Sequence, residues 1–306
     1  MKNFKYPFLF FISIFLLSCS FCKSNIQEID SFNHAMEKLN KSDEKTLIIF
    51  DMDSTLIAAT ESLFHFNDIE YFDKSNQDFI KQLHNNFKEL AKTKKDPAFP
   101  FTIISEIFSK TDFTPVENKI INVIKDLQKK NLKFIALTAS NTGKFYKIEN
   151  MQKWRFDNLN QIGLDFSKSF DLQNAEFDNF PNRFGFFPPA FYKGILCSAG
   201  NPKGKILKAF IDKVNWIPNK VIFFDDNYKE CKSVADEMNN SGIPVQCYWY
   251  RFVFKNKIKL NQEIMKYQFN HIAKYGEFLT EKEALEKMKL KTVNEIPENT
   301  SIQLKN

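Results

Sequence analysis

Glycine and proline are scarce in this chain of 306 residues, at 8 and 11, and cysteine is scarcer still at 5. So few chain breakers argue against a collagen-like or Pro/Gly-rich disordered protein, while a hydrophobic share of 43% is enough to bury a core. Cys19, Cys22, Cys197, Cys231 and Cys247 form no repeated CxxC pairs and have no histidine at zinc spacing, which excludes a zinc–thiolate site of that pattern. Cys197, Cys231 and Cys247 stand in or beside apolar stretches, as buried free thiols do, although an oxidising compartment would permit one disulfide among them. Lysine and arginine never gather into a block with interleaved aromatics, so the formal net charge of +6 predicts no nucleic-acid partner. Internal repeats and low-complexity blocks are absent as well.

Lys2 and Lys5 precede an apolar run from Phe8 to Leu17 that closes on Ser18, Cys19 and Ser20, the layout of a secretory leader over residues 1–22. The run is shorter than the ~20 residues of a membrane-spanning helix, so export to the periplasm, the cell envelope or the medium is expected. Leu16-Leu17-Ser18-Cys19 resembles a bacterial lipoprotein box, in which a lipidated Cys19 would attach the chain to a membrane; ordinary cleavage near Cys22 would release a soluble chain instead.

Thr46 to Phe50 is short and continuously apolar, as a parallel strand covered on both faces must be, and runs straight into Asp51-Met52-Asp53-Ser54-Thr55. A helical pattern follows, clearest at Phe79, Leu83, Phe87 and Leu90, broken by Pro97 and Pro100 before an apolar patch at Ile103 to Phe108; it predicts a cap inserted at about 58–113. Thr114-Pro115-Val116-Glu117 reads as a helix start with a capping box, followed by a helix through Ile120, Ile124 and Leu127. Further strands are expected at Phe134–Leu137, ending on Thr138, at Gly194–Cys197, at Val221–Phe224, ending on Asp225-Asp226, and at Val245–Tyr250. Helices are expected at Phe32–Leu39, around Ile206 to Ile211 and from Tyr228 to Met238. An aromatic-rich insertion at about 141–193 has no readable period. Residues 251–306 form a helical extension with a capping box at Thr280 and Glu283. Alternating strands and helices over 23–250 predict a three-layer α/β/α, Rossmann-like parallel sheet with a mainly helical cap.

In such a sheet the carboxyl ends of the strands share one edge, where ligands bind, so Asp51, Asp53, Thr138, Asp225 and Asp226 should converge there, with Lys203 reaching the same edge from a helix start. Any one of them could be a plain turn or cap residue; the set is harder to explain that way. Lys205 is the rival to Lys203, which has Gly204 beside it to permit close backbone approach. A receiver domain uses similar residues, but its acidic pair lies on the first strand rather than the last.

The ordered set DxDxT at 51–55, Thr138, Lys203 and Asp225-Asp226 resembles the four signatures of the haloacid dehalogenase superfamily. The arrangement of FDMDSTL, LTAS, a GILxxxGNPKGxxL stretch and FFDDN is similar to a bacterial family of unknown function within it, DUF2608. The resemblance implies a Mg²⁺-dependent phosphohydrolase acting on a small phosphorylated substrate. Asp51 would be the nucleophile, Asp53 the general acid and base, and Thr138 and Lys203 the phosphate-binding groups. Asp51, the backbone carbonyl of Asp53 and one of the acidic pair would hold the metal, Asp226 being the favoured direct ligand, with Asp225 behind it or bound through water. An exported chain carrying DxDxT also resembles the lipid-anchored acid phosphatases of bacterial envelopes. Noncatalytic binding on the same fold, or phosphoryl transfer as in a phosphomutase, are the other roles compatible with it. His65 could line the substrate side of the cap, and Trp154, Phe186, Phe187 and Tyr192 could form an aromatic wall, although such residues more often pack in cores.

Overall fold

The computed structural model describes residues 25–183 and 187–294, with backbone alone for 291–294. The leader with Cys19 and Cys22, and Phe186, lie outside the described residues. The chain opens with β1 (Asn25–Ile29), a helical turn running into α1 (Met36–Asn40), and β2 (Thr46–Phe50). A short β3 (Ile57–Ala59) leads to α2 (Lys74–Thr93), α3 (Phe99–Lys110) and β4 (Phe113–Pro115), which returns antiparallel to β3. Then come α4 (Ile120–Lys129), β5 (Lys133–Thr138), α5 (Met151–Gln161), β6 (Asn174–Glu176), β7 (Ala190–Tyr192) and β8 (Ile195–Cys197). The chain continues through α6 (Lys203–Val214), β9 (Lys220–Asp225), α7 (Tyr228–Asn240) and β10 (Val245–Tyr250) to α8 (Phe252–Lys255), α9 (Gln262–Tyr275) and α10 (Glu281–Asn294).

The central sheet has eight strands in the order β1-β10-β9-β2-β5-β8-β7-β6. From β1 to β8 every pairing is parallel, and β7 and β6 close the edge antiparallel. β2 is uniformly apolar because both of its faces are covered. Ile48 and Phe50 pack with Phe134, Phe224 and Tyr250 against α4 and the first helical turn, while Leu47 and Ile49 pack with Ile135, Leu137 and Phe223 against α6 and α7. Helices on two faces of one sheet make the three layers expected from the alternating pattern.

Two local readings change. Thr114 and Pro115 belong to β4, and α4 begins only at Ile120, so the capping box expected at Thr114 does not form. The Glu117 carboxylate is drawn elsewhere: it accepts from Phe32 N at 2.8 Å, Ser31 Oγ at 2.9 Å and Tyr250 Oη at 2.6 Å. The polar stretch before β2 also supplies an edge strand, β1, whose mostly exposed residues carry little apolar signal. The capping box at Thr280 does form, with reciprocal bonds to Glu283 at 2.7 and 3.2 Å. No helix among the described residues is long and apolar enough to cross a membrane.

The cap has its own core. Leu63, Phe72, Ile80, Leu83 and Ile103 from the segment between β3 and β4 pack with Met265 and Ile272 of α9 and with Phe278 of the loop that follows it. The segment 141–193, unreadable in sequence, contributes α5 and the antiparallel strands β6 and β7, and Phe191 and Phe170 join the face covered by α6.

Candidate active site

β9, β2 and β5 are adjacent, and chain order runs outward from β2 in both directions, so their carboxyl ends meet at a switch point of the sheet. Asp51 follows β2 directly and its N–H donates to Phe224 O on β9 at 2.8 Å, which ties the two strand ends together. The chain then turns sharply. Ser54 adopts φ 62° and donates to Ile57 O at 2.8 Å, while Leu56 and Ile57 fold back onto Met52 O, leaving Asp53 beside Asp51 on the same rim.

Lys203 begins α6 and is 2% exposed. Its Nζ donates to Asp51 Oδ1 at 2.5 Å and Asp225 Oδ2 at 2.7 Å, bridging the ends of β2 and β9. Lys205 points to solvent and takes no part. The glycine after Lys203 serves a close approach between helices: a Cβ on Gly204 would meet Ser233 O of α7 at 2.1 Å, so a side chain there would push α6, and the lysine with it, off its seat. Thr138 is 1% exposed and its Oγ1 accepts from Ser140 N at 3.1 Å.

Carboxylate oxygens of Asp51, Asp225 and Asp226 lie within 4.8 Å of one another. Burial pushes Asp51 up from the ordinary carboxylate range, against the pull of the Lys203 ammonium; burial also raises Asp225 well above it. Desolvation and the Asp51 charge push Asp226 up to about 7. Burial pulls the Lys203 ammonium down from its ordinary value, but Asp225 and Asp51 outweigh it and push it up. Asp51, Asp225 and Asp226 together form an all-oxygen donor set that could hold a hard metal cation.

Arg155 and Tyr71, which carry no sequence signal, complete the site together with His65. Arg155 of α5 is buried and pairs with both oxygens of Asp53, Nη1 to Oδ1 at 3.0 Å and Nη2 to Oδ2 at 2.5 Å. The Tyr71 hydroxyl, from the cap, donates to Asp226 Oδ2. His65 is 3% exposed and lines the same cleft, with Nδ1 3.9 Å from Asp68 Oδ2. The cleft holds about 380 Å³; its floor is the strand ends and its roof is apolar, with Leu63, Phe64, Ile104 and Phe108. Trp154, Phe187 and Tyr192 do not converge into a wall: Trp154 stacks on Phe108, Tyr192 packs on Phe156, and Phe187 is 52% exposed. Cys197, Cys231 and Cys247 are buried free thiols, and burial pushes Cys197 up to about 12, which leaves it inert as a nucleophile.

Fold and site together define a capped α/β protein with an acidic, lysine-bridged cleft at the carboxyl edge of a mainly parallel sheet. By sequence the chain belongs to the family described as "Protein of unknown function (DUF2608)", whose model matches residues 28–285. It is similar to an uncharacterized protein of Rickettsia felis (strain ATCC VR-1525 / URRWXCal2), 24% identical over 245 residues that cover 79% of this chain and 82% of the relative. A second uncharacterized protein, from Rickettsia prowazekii (strain Madrid E), is 25% identical over 78% of this chain and 79% of its own length. No solved structure matches the chain.

Proposed function

We propose that the protein is a phosphomonoester hydrolase of the haloacid dehalogenase type, with Asp51 as nucleophile. The observation that carries this reading is Lys203 bridging Asp51 and Asp225 in the cleft where Asp53, Thr138 and Asp226 also meet. A binding module has no use for a second carboxylate beside a buried carboxylate–ammonium pair.

In the first half-reaction an Asp51 oxygen attacks phosphorus, the ester P–O bond breaks, and Asp53 gives its proton to the departing alcohol oxygen. The Thr138 hydroxyl and Lys203 ammonium hold the phosphoryl oxygens as charge gathers on them. In the second, Asp53 takes a proton from water as that water attacks the aspartyl phosphate; the P–O bond to Asp51 breaks and free phosphate leaves. Mg²⁺, held by Asp51, the Asp53 carbonyl and Asp226 with Asp225 behind, would offset the negative charge that these carboxylates and a phosphate bring together. The leader-like start extends the reading to an exported enzyme acting on a small phosphorylated substrate at the cell envelope.

Phosphate release from an aryl phosphate, a nucleotide and a sugar phosphate is the test, with Mg²⁺ or with EDTA. Turnover is expected with the metal only, and Asp51→Asn should lower it by at least about 10³-fold. A folded, metal-binding chain that releases no phosphate from any ester would overturn the hydrolase reading in favour of binding.

A further inference from the structure

Asp53 does not stand free beside the nucleophile. Arg155, itself 4% exposed, grips it from α5 through two parallel hydrogen bonds. The guanidinium carbon lies 4.8 Å from the ring centre of Trp154, and that indole is stacked on Phe108 at an interplanar angle of 4°. The arginine thus lies over an indole that is itself stacked on Phe108 of the cap helix α3. Burying an arginine is costly unless its charge and its fork geometry are both used, and two-point pairing fixes a carboxyl's direction as a single hydrogen bond cannot.

We propose that Arg155 is a positioning residue for Asp53, holding its carboxyl in the orientation from which it delivers a proton to the leaving-group oxygen and later takes one from water. The inference rests on the hydrolase reading above. When Asp53 carries the proton, one oxygen presents it to the ester oxygen and the other keeps accepting from Arg155. As the O–H bond to Asp53 and the P–O ester bond break together, the alcohol leaves with the proton and the two-point pair closes again on the carboxylate. α5 lies in the crossover between the parallel neighbours β5 and β8, so the group that orients Asp53 is carried by a helix packed against the central sheet.

The test compares two esters of similar shape that differ in their need for a proton. The leaving group of 4-nitrophenyl phosphate departs as a stable anion; that of 2-phenylethyl phosphate must be protonated as it leaves. Arg155→Ala should lower kcat/KM for 2-phenylethyl phosphate by at least about 100-fold and for 4-nitrophenyl phosphate by less than about tenfold. Arg155→Lys should fall between wild type and Arg155→Ala, and added guanidinium should restore part of the alkyl ester's turnover in Arg155→Ala. Because both esters are measured on one sample, a reduced folded fraction scales them alike and leaves their ratio intact. Equal losses on the two esters, or no loss on either, would overturn the assignment while the hydrolase reading stood. A wild-type chain inactive on both esters with Mg²⁺ would instead remove the hydrolase reading, and the role of Arg155 would fall with it.

Discussion

Lys203 is the residue on which the site's charge balance turns. Its ammonium lies between two carboxylates that are themselves 5% and 1% exposed, so removing it strands Asp51 and Asp225 without their counter-charge. Breaking a buried pair from one side costs about 3–5 kcal/mol. Lys203→Met should therefore melt well below the wild type and have no measurable turnover, and Mg²⁺ should recover part of the lost melting temperature by neutralising the same carboxylates. Unchanged melting curves in the absence of metal would contradict this account. The paired carboxylates, Thr138 and the lysine were legible as residues because each ends a strand or starts a helix. The choice between Lys203 and Lys205 was legible only through Gly204. Arg155 and Tyr71 were not legible, since their partners lie 102 and 155 positions away and nothing local marks them.

Glu117 shows how an element boundary is decided from outside the element. Burial raises its carboxyl, but hydrogen bonds from Lys119, Tyr250, Phe32 N and Ser31 outweigh that and hold it below the usual glutamate range. A lowered carboxyl stabilises the fold above the ordinary value of ~4.3 and loses that contribution as pH falls through the folded value. Glu117→Gln should cost about 2 kcal/mol at pH 7, and the gap to wild type should narrow as pH falls from the ordinary glutamate range through the lowered folded value. Chemical denaturation at several pH values measures it, and a gap independent of pH would show that the charge does not matter. The same tetrad of residue types that reads as a helix start at Thr114 is a strand and turn here, because the carboxylate finds donors from β10 and from the first helical turn. At Thr280 the local capping box forms, with Glu283 bonded back to Thr280.

At the scale of the whole molecule, the cap is completed by the far end of the chain. Phe278 is fully buried among Leu63, Phe72 and Ile103, and Glu61 at the start of the cap accepts from Glu281 N at 2.9 Å. Phe278→Ala should cost about 3–5 kcal/mol. Hydrogen exchange should show the loss first in α2, α3 and α9, with β2, β5 and β9 still protected, because the cap and the sheet have separate apolar clusters. Simultaneous loss of protection in sheet and cap would show that the two open as one unit.

The strands, their order of types and the line of reactive residues at their ends were determined by the sequence itself, because a sheet covered on both faces demands unbroken apolar runs and a polar residue at the end of such a run stands out. Tertiary structure alone decided which helix start survived, that β1 pairs along β10, that α9 and α10 close the cap, and that Asp53 is held by Arg155. Those outcomes depend on contacts between residues more than 80 positions apart, where the winning partner is set by burial and by competition for donors rather than by any local period.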